Sequence, residues 1–174
     1  MMLMSETANA VNGELIGSDA RFTSVSKDTR ELVMGALYVA LKGERFDGHS
    51  FVEQALAAGA AGVLVSEQQA TASPQIVVDD TRLALGKLAA YWRSQYRGQL
   101  VGITGSNGKT TVKEMTRSIL DQAAGADRVL STQGNLNNDI GMPLTLLNLR
   151  QQHEYAVIEM GANHPGEIDY LAHI

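Results

Sequence analysis

Residues 100–120, LVGITGSNGKTTVKEMTRSIL, constrain the fold more than any other stretch of this chain. LVGIT is an apolar run built from β-formers. GSNG is a string of small residues that can turn sharply. TTVKEMTRSILDQA, residues 110–123, is amphipathic: Val112, Met115, Ile119, Leu120 and Ala123 recur at helical spacing and predict an apolar stripe facing a core. A strand, a tight turn and a helix in that order make a βα unit, and such units build parallel sheets.

The loop of that unit also suggests chemistry. Gly105, Ser106, Asn107 and Gly108 are small enough for backbone N–H groups to turn inward on phosphate oxygens. The following helix adds partial positive charge at its N-terminus. Lys109 would reach the β- and γ-phosphates, the Thr110 hydroxyl would ligate Mg²⁺, and Thr111 completes the run. The generic pattern G-x-x-x-x-G-K-[ST] would place its first glycine at 103, where this chain has Ile103, so the match is to a shorter G-x-x-G-K-T form. The plain alternative is a polar turn with Thr110 as a helix N-cap and Lys109 in solvent.

The same alternation runs through the rest of the chain. ALYVAL (36–41), AGVLVSE (61–67) and QIVVDD (75–80) read as buried strands. HSFVEQALAAGA (49–60) reads as a helix with Phe51, Val52, Ala55 and Leu56 on one face. TRLALGKLAAYWRSQYR (81–97) is a longer helix striped by Leu85, Leu88, Trp92 and Tyr96. Beyond RGQ at 97–99, the reading gives strands at 100–104, 128–132 and 155–162, a loop at 133–143 and a short helix in LTLLNL. The expectation is an α/β chain of two domains, 1–97 and 98–174. The second is the start of a mostly parallel sheet, and its three strands would leave an unpaired edge. HPGEIDYLAHI opens a helix that the chain end interrupts, so a fragment of a longer protein is expected.

Composition narrows the function classes. The net charge is −5, from 14 basic and 19 acidic residues among 174, and no Lys/Arg-rich run is present. That gives no footprint for nucleic acid or an anionic membrane surface. There are no cysteines, hence no disulfide framework and no thiolate metal site. No window of about 18 apolar residues suggests a membrane span, and MMLMSETANA lacks the charged start and apolar core of a signal peptide.

Two further features stand near the loop in this reading. Glu159 ends the apolar strand of AVIEMGA, where ligands collect outside the carboxyl ends of parallel strands. A carboxylate there, facing Thr110, is what a Mg²⁺ bridging phosphates would need; a strand-end Glu in solvent is the alternative. GNLNND brings Asn135, Asn137 and Asn138 to the same edge, as ligand contacts or simply as turn formers. His49, His153, His164 and His173 have no metal-ligand spacing and read as surface or capping residues.

Three of these segments together resemble one family. GITGSNGKTT resembles the ATP loop of the Mur ligases, the ATP-dependent amide-forming enzymes of peptidoglycan precursor synthesis. SKDTR, followed by GALYVALKGERFDGHSFVEQALAAGAAGVLVSE, is similar to the N-terminal uridine-nucleotide domain of the two late-acting members. TQGNLNNDIGMPLTLL and AVIEMGANHPGEIDYL look specifically like the last member. The resemblance implies ATP and Mg²⁺ as cofactors, with UDP-MurNAc-tripeptide and D-Ala-D-Ala as substrates. It also implies a monomeric, cytoplasmic enzyme with neither nucleic-acid nor membrane partner. The amide would form through an acyl phosphate, with Lys109 and Glu159 as catalytic residues and Thr110 and Glu159 holding metal. In the first domain, Lys27, Thr29 and Arg30 of SKDTR match positions lining the uridine-diphosphate pocket, and Glu44, Arg45 and Phe46 match the loop over the uracil. Asn137 and Asn138 match positions near the substrate's phosphate and sugar. Family members continue further, with a catalytic His, usually a carbamylated Lys and a closing C-terminal domain, so this chain alone is expected to be inactive. The neighbouring ligase that adds the third peptide residue, and a nucleotide-binding module without turnover, remain as alternatives.

Overall fold

Runs such as ALYV and GVLV carry apolar side chains on both faces, so neither face can be left in water, and such strands belong inside a covered parallel sheet. The computed structural model describes residues 1–43 and 46–174, and these divide into two compact units, Met1–Leu88 and Ala89–Ile174.

The first unit opens with β1 (Met2–Leu3), α1 (Met4–Val11), β2 (Glu14–Ile16), β3 (Arg21–Phe22) and β4 (Ser24–Ser26). It continues with β5 (Ala36–Val39), α2 (Val52–Ala57), β6 (Gly62–Val65), β7 (Gln75–Val77) and the start of α3 (Thr81–Ser94). Among the described residues, five strands form one sheet in the order β2-β7-β6-β5-β4. β4, β5, β6 and β7 run parallel, and β2 pairs antiparallel on the edge. β5 and β6 are buried throughout, as their composition requires. The Tyr38 ring is fully buried, and its hydroxyl escapes an unpaired fate by donating to the Gly48 carbonyl at 3.0 Å. Val52 and Ala55 of α2 pack on Tyr38, Val63 and Val65.

One segment without a predicted element folds here, and one expectation changes. MMLMSETANA does more than start the chain: Met4, Thr7, Ala8 and Val11 fall at i, i+3, i+4 and i+7 and are buried along α1. The expected helix over 49–60 begins as a 3₁₀ turn, Gly48–Phe51, capped by the Asp47 carboxylate on the His49 N–H. Three residues per turn rotate Phe51 away from the Val52–Ala55 face, and its side chain is exposed.

The second unit takes the remainder of α3 and then β8 (Gln99–Ile103), α4 (Lys109–Ala124), β9 (Val129–Ser131), α5 (Gly141–Leu146), β10 (Tyr155–Glu159) and α6 (Glu167–Ala172). Its three strands are parallel in the order β8-β10-β9, with Val157 opposite both Val101 and Ser131. β10 therefore lies in the middle, and the chain crosses over it between β8 and β9. The Trp92 indole N–H donates to the Leu149 carbonyl at 3.0 Å and ties the end of α3 to the turn after α5.

α4 covers the expected residues, but most of the expected apolar stripe does not face the sheet. Val112, Met115 and Ile119 are 50%, 63% and 68% exposed. The inward side carries Lys113, fully buried, with Thr116, Arg117, Leu120 and Asp121 half-buried beside it. Val101 of β8 is likewise exposed, so the apolar stripe and this strand lie uncovered among the described residues. The periodicity was legible, but which side of the helix meets the sheet depends on where the strands are.

α5 starts three residues earlier than LTLLNL suggests. The Asn138 Oδ1 accepts from the N–H groups of Ile140 and Gly141 and so satisfies donors at the helix start. A Cβ at Gly141 would lie 2.5 Å from the Leu136 Cα, a backbone atom that cannot rotate away. Gly141→Ala is expected to destabilise this unit by about 1–3 kcal/mol, read as a lower denaturant midpoint at unchanged m-value.

Candidate functional site

The strand order decides what meets what. β8, β10 and β9 end side by side, so the segments that follow them converge at the carboxyl edge of the sheet. These are GSNG after β8, TQGNLNND after β9 and MGAN after β10. Ser106, Asn107, Gly108, Lys109, Thr110 and Thr111 line a cleft of about 350 Å³ together with Asn135, Asn137 and Glu159.

The loop has a form that its residue types permit. Gly108 caps α4 with φ +76, a left-handed conformation open to glycine at little cost. Its carbonyl accepts the Val112 N–H at 2.9 Å and begins the helical ladder. Thr110 therefore does not cap the helix. It sits in the first turn, and its Oγ1 donates to Glu159 Oε1 at 3.3 Å. Nor does Lys109 simply extend into solvent: its Nζ donates to the Gly105 carbonyl at 2.7 Å, folding the ammonium back over the loop. No acidic residue of α4 itself occupies its first turn, and the carboxylate that meets this positive helix end, through Thr110, is that of Glu159.

Glu159 is the centre of the arrangement. It is 1% exposed, so the solvated strand-end alternative does not describe it. Oε1 accepts from Asn137 Nδ2 at 2.8 Å as well as from Thr110. Its backbone N–H donates to Thr132 Oγ1 at 2.9 Å. Oε2 is buried without a hydrogen bond, 4.0 Å from Lys113 Nζ. Lys113 in turn donates to the Thr132 carbonyl at 2.9 Å and pairs with Glu114 at 2.9 Å. That bond holds the Glu114 carboxyl below its usual range. Thr132 and Lys113 escaped the sequence reading. A lysine four residues after Lys109, one helical turn further along α4, was the available signal.

A buried carboxylate oxygen without a donor, beside a threonine hydroxyl, suits a hard dication. Mg²⁺ is commonly held by one or two carboxylates, with the remaining positions filled by waters and substrate phosphates. No group of three or more His, Cys, Asp or Glu side chains capable of holding a metal occurs among the described residues. Phosphate oxygens would have to complete the set.

The other expected residues are placed as follows. Asn138 spends its amide oxygen on the start of α5. Lys27, Thr29 and Arg30 follow β4, and Phe46 follows β5, so both segments leave the carboxyl edge of the first unit's sheet. Arg30 pairs with Asp28 through its guanidinium, which holds that carboxyl well below the usual range. Lys27 and the Phe46 ring are exposed. Glu44 and Arg45 lie outside the described residues. His49 is neither a surface nor a capping side chain: its ring is mostly buried, bonded to Asp47 Oδ1 at 2.6 Å and accepting the Ser66 N–H at Nε2. No helix among the described residues is long and apolar enough to cross a membrane.

Comparison with known proteins matches this geometry to one family. Residues 21–93 match the model of the Mur ligase family catalytic domain, and residues 103–174 match the Mur ligase middle domain. The chain is 54% identical over 165 residues to the UDP-N-acetylmuramoyl-tripeptide–D-alanyl-D-alanine ligase of Escherichia coli strain K12, covering 95% of this chain and 36% of that protein. It is 44% identical to a crystal structure of MurF from Acinetobacter baumannii, with a TM-score of 0.87, over 97% of this chain and 37% of that one. It is also 35% identical to the MurF ligase of Thermotoga maritima solved in complex with ADP, with a TM-score of 0.76, over 88% of this chain and 35% of that one. The chain thus spans about a third of the length of the relatives it matches.

Proposed function

Because this chain belongs to the Mur ligase family, we propose that its protein joins D-alanyl-D-alanine to UDP-N-acetylmuramoyl-tripeptide at the expense of ATP. The observation that carries this reading is the convergence of Lys109, Thr110, Asn137 and Glu159 on one cleft, in a chain 54% identical to a relative named for that reaction. That the Thermotoga maritima relative was solved in complex with ADP supports an adenine nucleotide as a ligand. Residues 1–97 would take the uridine end of the substrate and residues 98–174 the ATP.

The chemistry is two transfers. A carboxylate oxygen of the tripeptide attacks the γ-phosphorus of ATP, the bond to the β-phosphate oxygen breaks, and an acyl phosphate and ADP result. The amine of D-Ala-D-Ala then adds to the acyl carbon. The tetrahedral adduct expels inorganic phosphate, the amine loses its proton, and the amide remains. Little of this needs covalent participation by the protein; positioning and charge neutralisation dominate phosphoryl transfer. The backbone N–H groups of GSNG and the start of α4 would cradle the phosphates. Lys109 would exchange the Gly105 carbonyl for phosphate oxygens. Thr110 and Glu159 would hold Mg²⁺, with Asn137 fixing the carboxylate. When bound, Mg²⁺ neutralises charge on the β- and γ-phosphates. In the first unit, Lys27, Thr29, Arg30, Glu44, Arg45 and Phe46 would contact the uridine nucleotide, and Asn138 would lie near its sugar. The protein would act as a monomer in the cytoplasm.

The test is phosphate release by the longest polypeptide encoded at this locus, given ATP, Mg²⁺ and UDP-MurNAc-tripeptide, with and without D-Ala-D-Ala. Release that requires D-Ala-D-Ala is the expected result. Release that instead requires a diamino acid and the dipeptide precursor would assign the chain to the neighbouring ligase. No release with either set would leave a nucleotide-binding module.

A further inference from the structure

Lys113 has no part in the reaction as derived above, yet it is 1% exposed and sits beside the Glu159 carboxylate. Lysine is almost never fully buried unless paired, and taking its ammonium out of water is costly enough that an apolar side chain is the default there. α4 could have supplied one, since Val112 and Met115 flank the position and face outward. The partners of Lys113 show what it does. Its Nζ reaches the Thr132 carbonyl at 2.9 Å, Glu114 Oε1 at 2.9 Å and Glu159 Oε2 at 4.0 Å. Thr132 also receives the Glu159 N–H through its hydroxyl, so lysine and carboxylate share one anchor. Asn137 and Thr110 both occupy Glu159 Oε1, and Oε2 faces the ammonium without a hydrogen bond.

From this geometry, and resting on the reading that Glu159 and Thr110 hold Mg²⁺, we propose that Lys113 is a resident counter-cation that makes the metal site depend on nucleotide. Its charge offsets that of Glu159, and it lies close enough to repel a dication at the same carboxylate. Attraction and repulsion at such separations are both strong when water is excluded. One carboxylate already paired with an ammonium, plus one hydroxyl, gives the site too little negative charge to hold Mg²⁺ alone. The polyphosphate supplies the missing charge, so metal enters with nucleotide. Lys113 is thus a positioning residue, not a catalytic one.

The experiment measures Mn²⁺ binding by electron paramagnetic resonance, at fixed pH and without nucleotide, on the longest polypeptide encoded at this locus. Wild type is expected to bind Mn²⁺ only weakly. Lys113→Gln keeps a donor for the Thr132 carbonyl but removes the charge, and is expected to tighten Mn²⁺ binding by at least about 10-fold. Lys113→Arg keeps the charge and should bind as wild type does. Lys113→Met serves as the second neutral variant should Lys113→Gln not fold. A merely structural lysine would lower the melting temperature when replaced but would not create metal affinity. Unchanged or weaker Mn²⁺ binding in the neutral variant overturns the proposal. Adding Glu159→Gln separates the two readings. If the gained affinity vanishes, the metal is at Glu159 as proposed. If it persists, the assignment of Glu159 as a metal ligand fails, and the counter-cation role fails with it.

Discussion

Lys109→Met in the full polypeptide should lower D-Ala-D-Ala-dependent phosphate release by on the order of 10³-fold or more. The direction follows from geometry. The ammonium is tethered at the mouth of the loop by one 2.7 Å bond to the Gly105 carbonyl. It is also the lysine that lines the cleft beside Thr110 and Glu159. The magnitude follows from the class of reaction, in which charge develops on the transferring phosphoryl group and preorganised cations stabilise it. Methionine retains much of the aliphatic stem, so the helix should survive. The melting temperature is therefore expected to move by a few degrees at most while turnover is lost. Steady-state assays of kcat and KM for ATP check this: a fall mainly in kcat places the lysine in the transition state, whereas a rise in KM alone would make it a ground-state contact.

Glu159→Gln should remove the response to Mg²⁺. ADP binding by calorimetry, with and without Mg²⁺, reads this without turnover. Wild type is expected to bind ADP more tightly when Mg²⁺ is present, and the variant is expected to bind it with one weak affinity in both conditions. The substitution is close to isosteric, and the glutamine oxygen can still accept from Asn137 and Thr110, which now meet Glu159 Oε1. What it loses is the charge, and its amide nitrogen takes the place of Oε2, so the buried Lys113 ammonium loses the acceptor at 4.0 Å. Breaking one side of a buried pair costs about 3–5 kcal/mol, so a lower melting temperature accompanies the functional loss. Glu114, half in solvent on the same ammonium, limits that cost. Retention of Mg²⁺-dependent ADP binding in Glu159→Gln would remove Glu159 from the metal site.

The two effects differ in how they were found. GSNGKTT is contiguous, and its elements are local: a strand to fix the entrance, glycines to turn, a helix to supply N–H groups. Local geometry is written into adjacent residues, which is why the βα unit and its glycine-rich turn were legible in the chain. Glu159 was half legible, because its place at a strand end is local while its burial is not. Asn137 belongs to a turn-rich segment whose amide acquires a partner only through the third dimension. Lys113 was not legible as part of the site at all.

The helix that carries Lys113 makes the same point from the packing side. Of the predicted stripe, Val112, Met115 and Ile119 face outward and Leu120 is half-buried, while the lysine faces the sheet. Periodicity reports that a helix has two faces; it does not report which one meets β9 and β10. That depends on the order β8-β10-β9, set by crossovers between residues dozens of positions apart. By itself the sequence determined that this chain is α/β, that it carries a glycine-rich turn between an apolar strand and a helix, and that its motifs are those of a Mur ligase. The sequence placed Thr110, Glu159 and the Asn137 segment at one sheet edge; the tertiary structure alone decided that Glu159 is buried, that Asn137 bonds to it and that a buried lysine lies behind it. The reason is physical: backbone conformation responds to neighbours along the chain, whereas burial, charge pairing and ligand geometry respond to whatever the fold brings alongside.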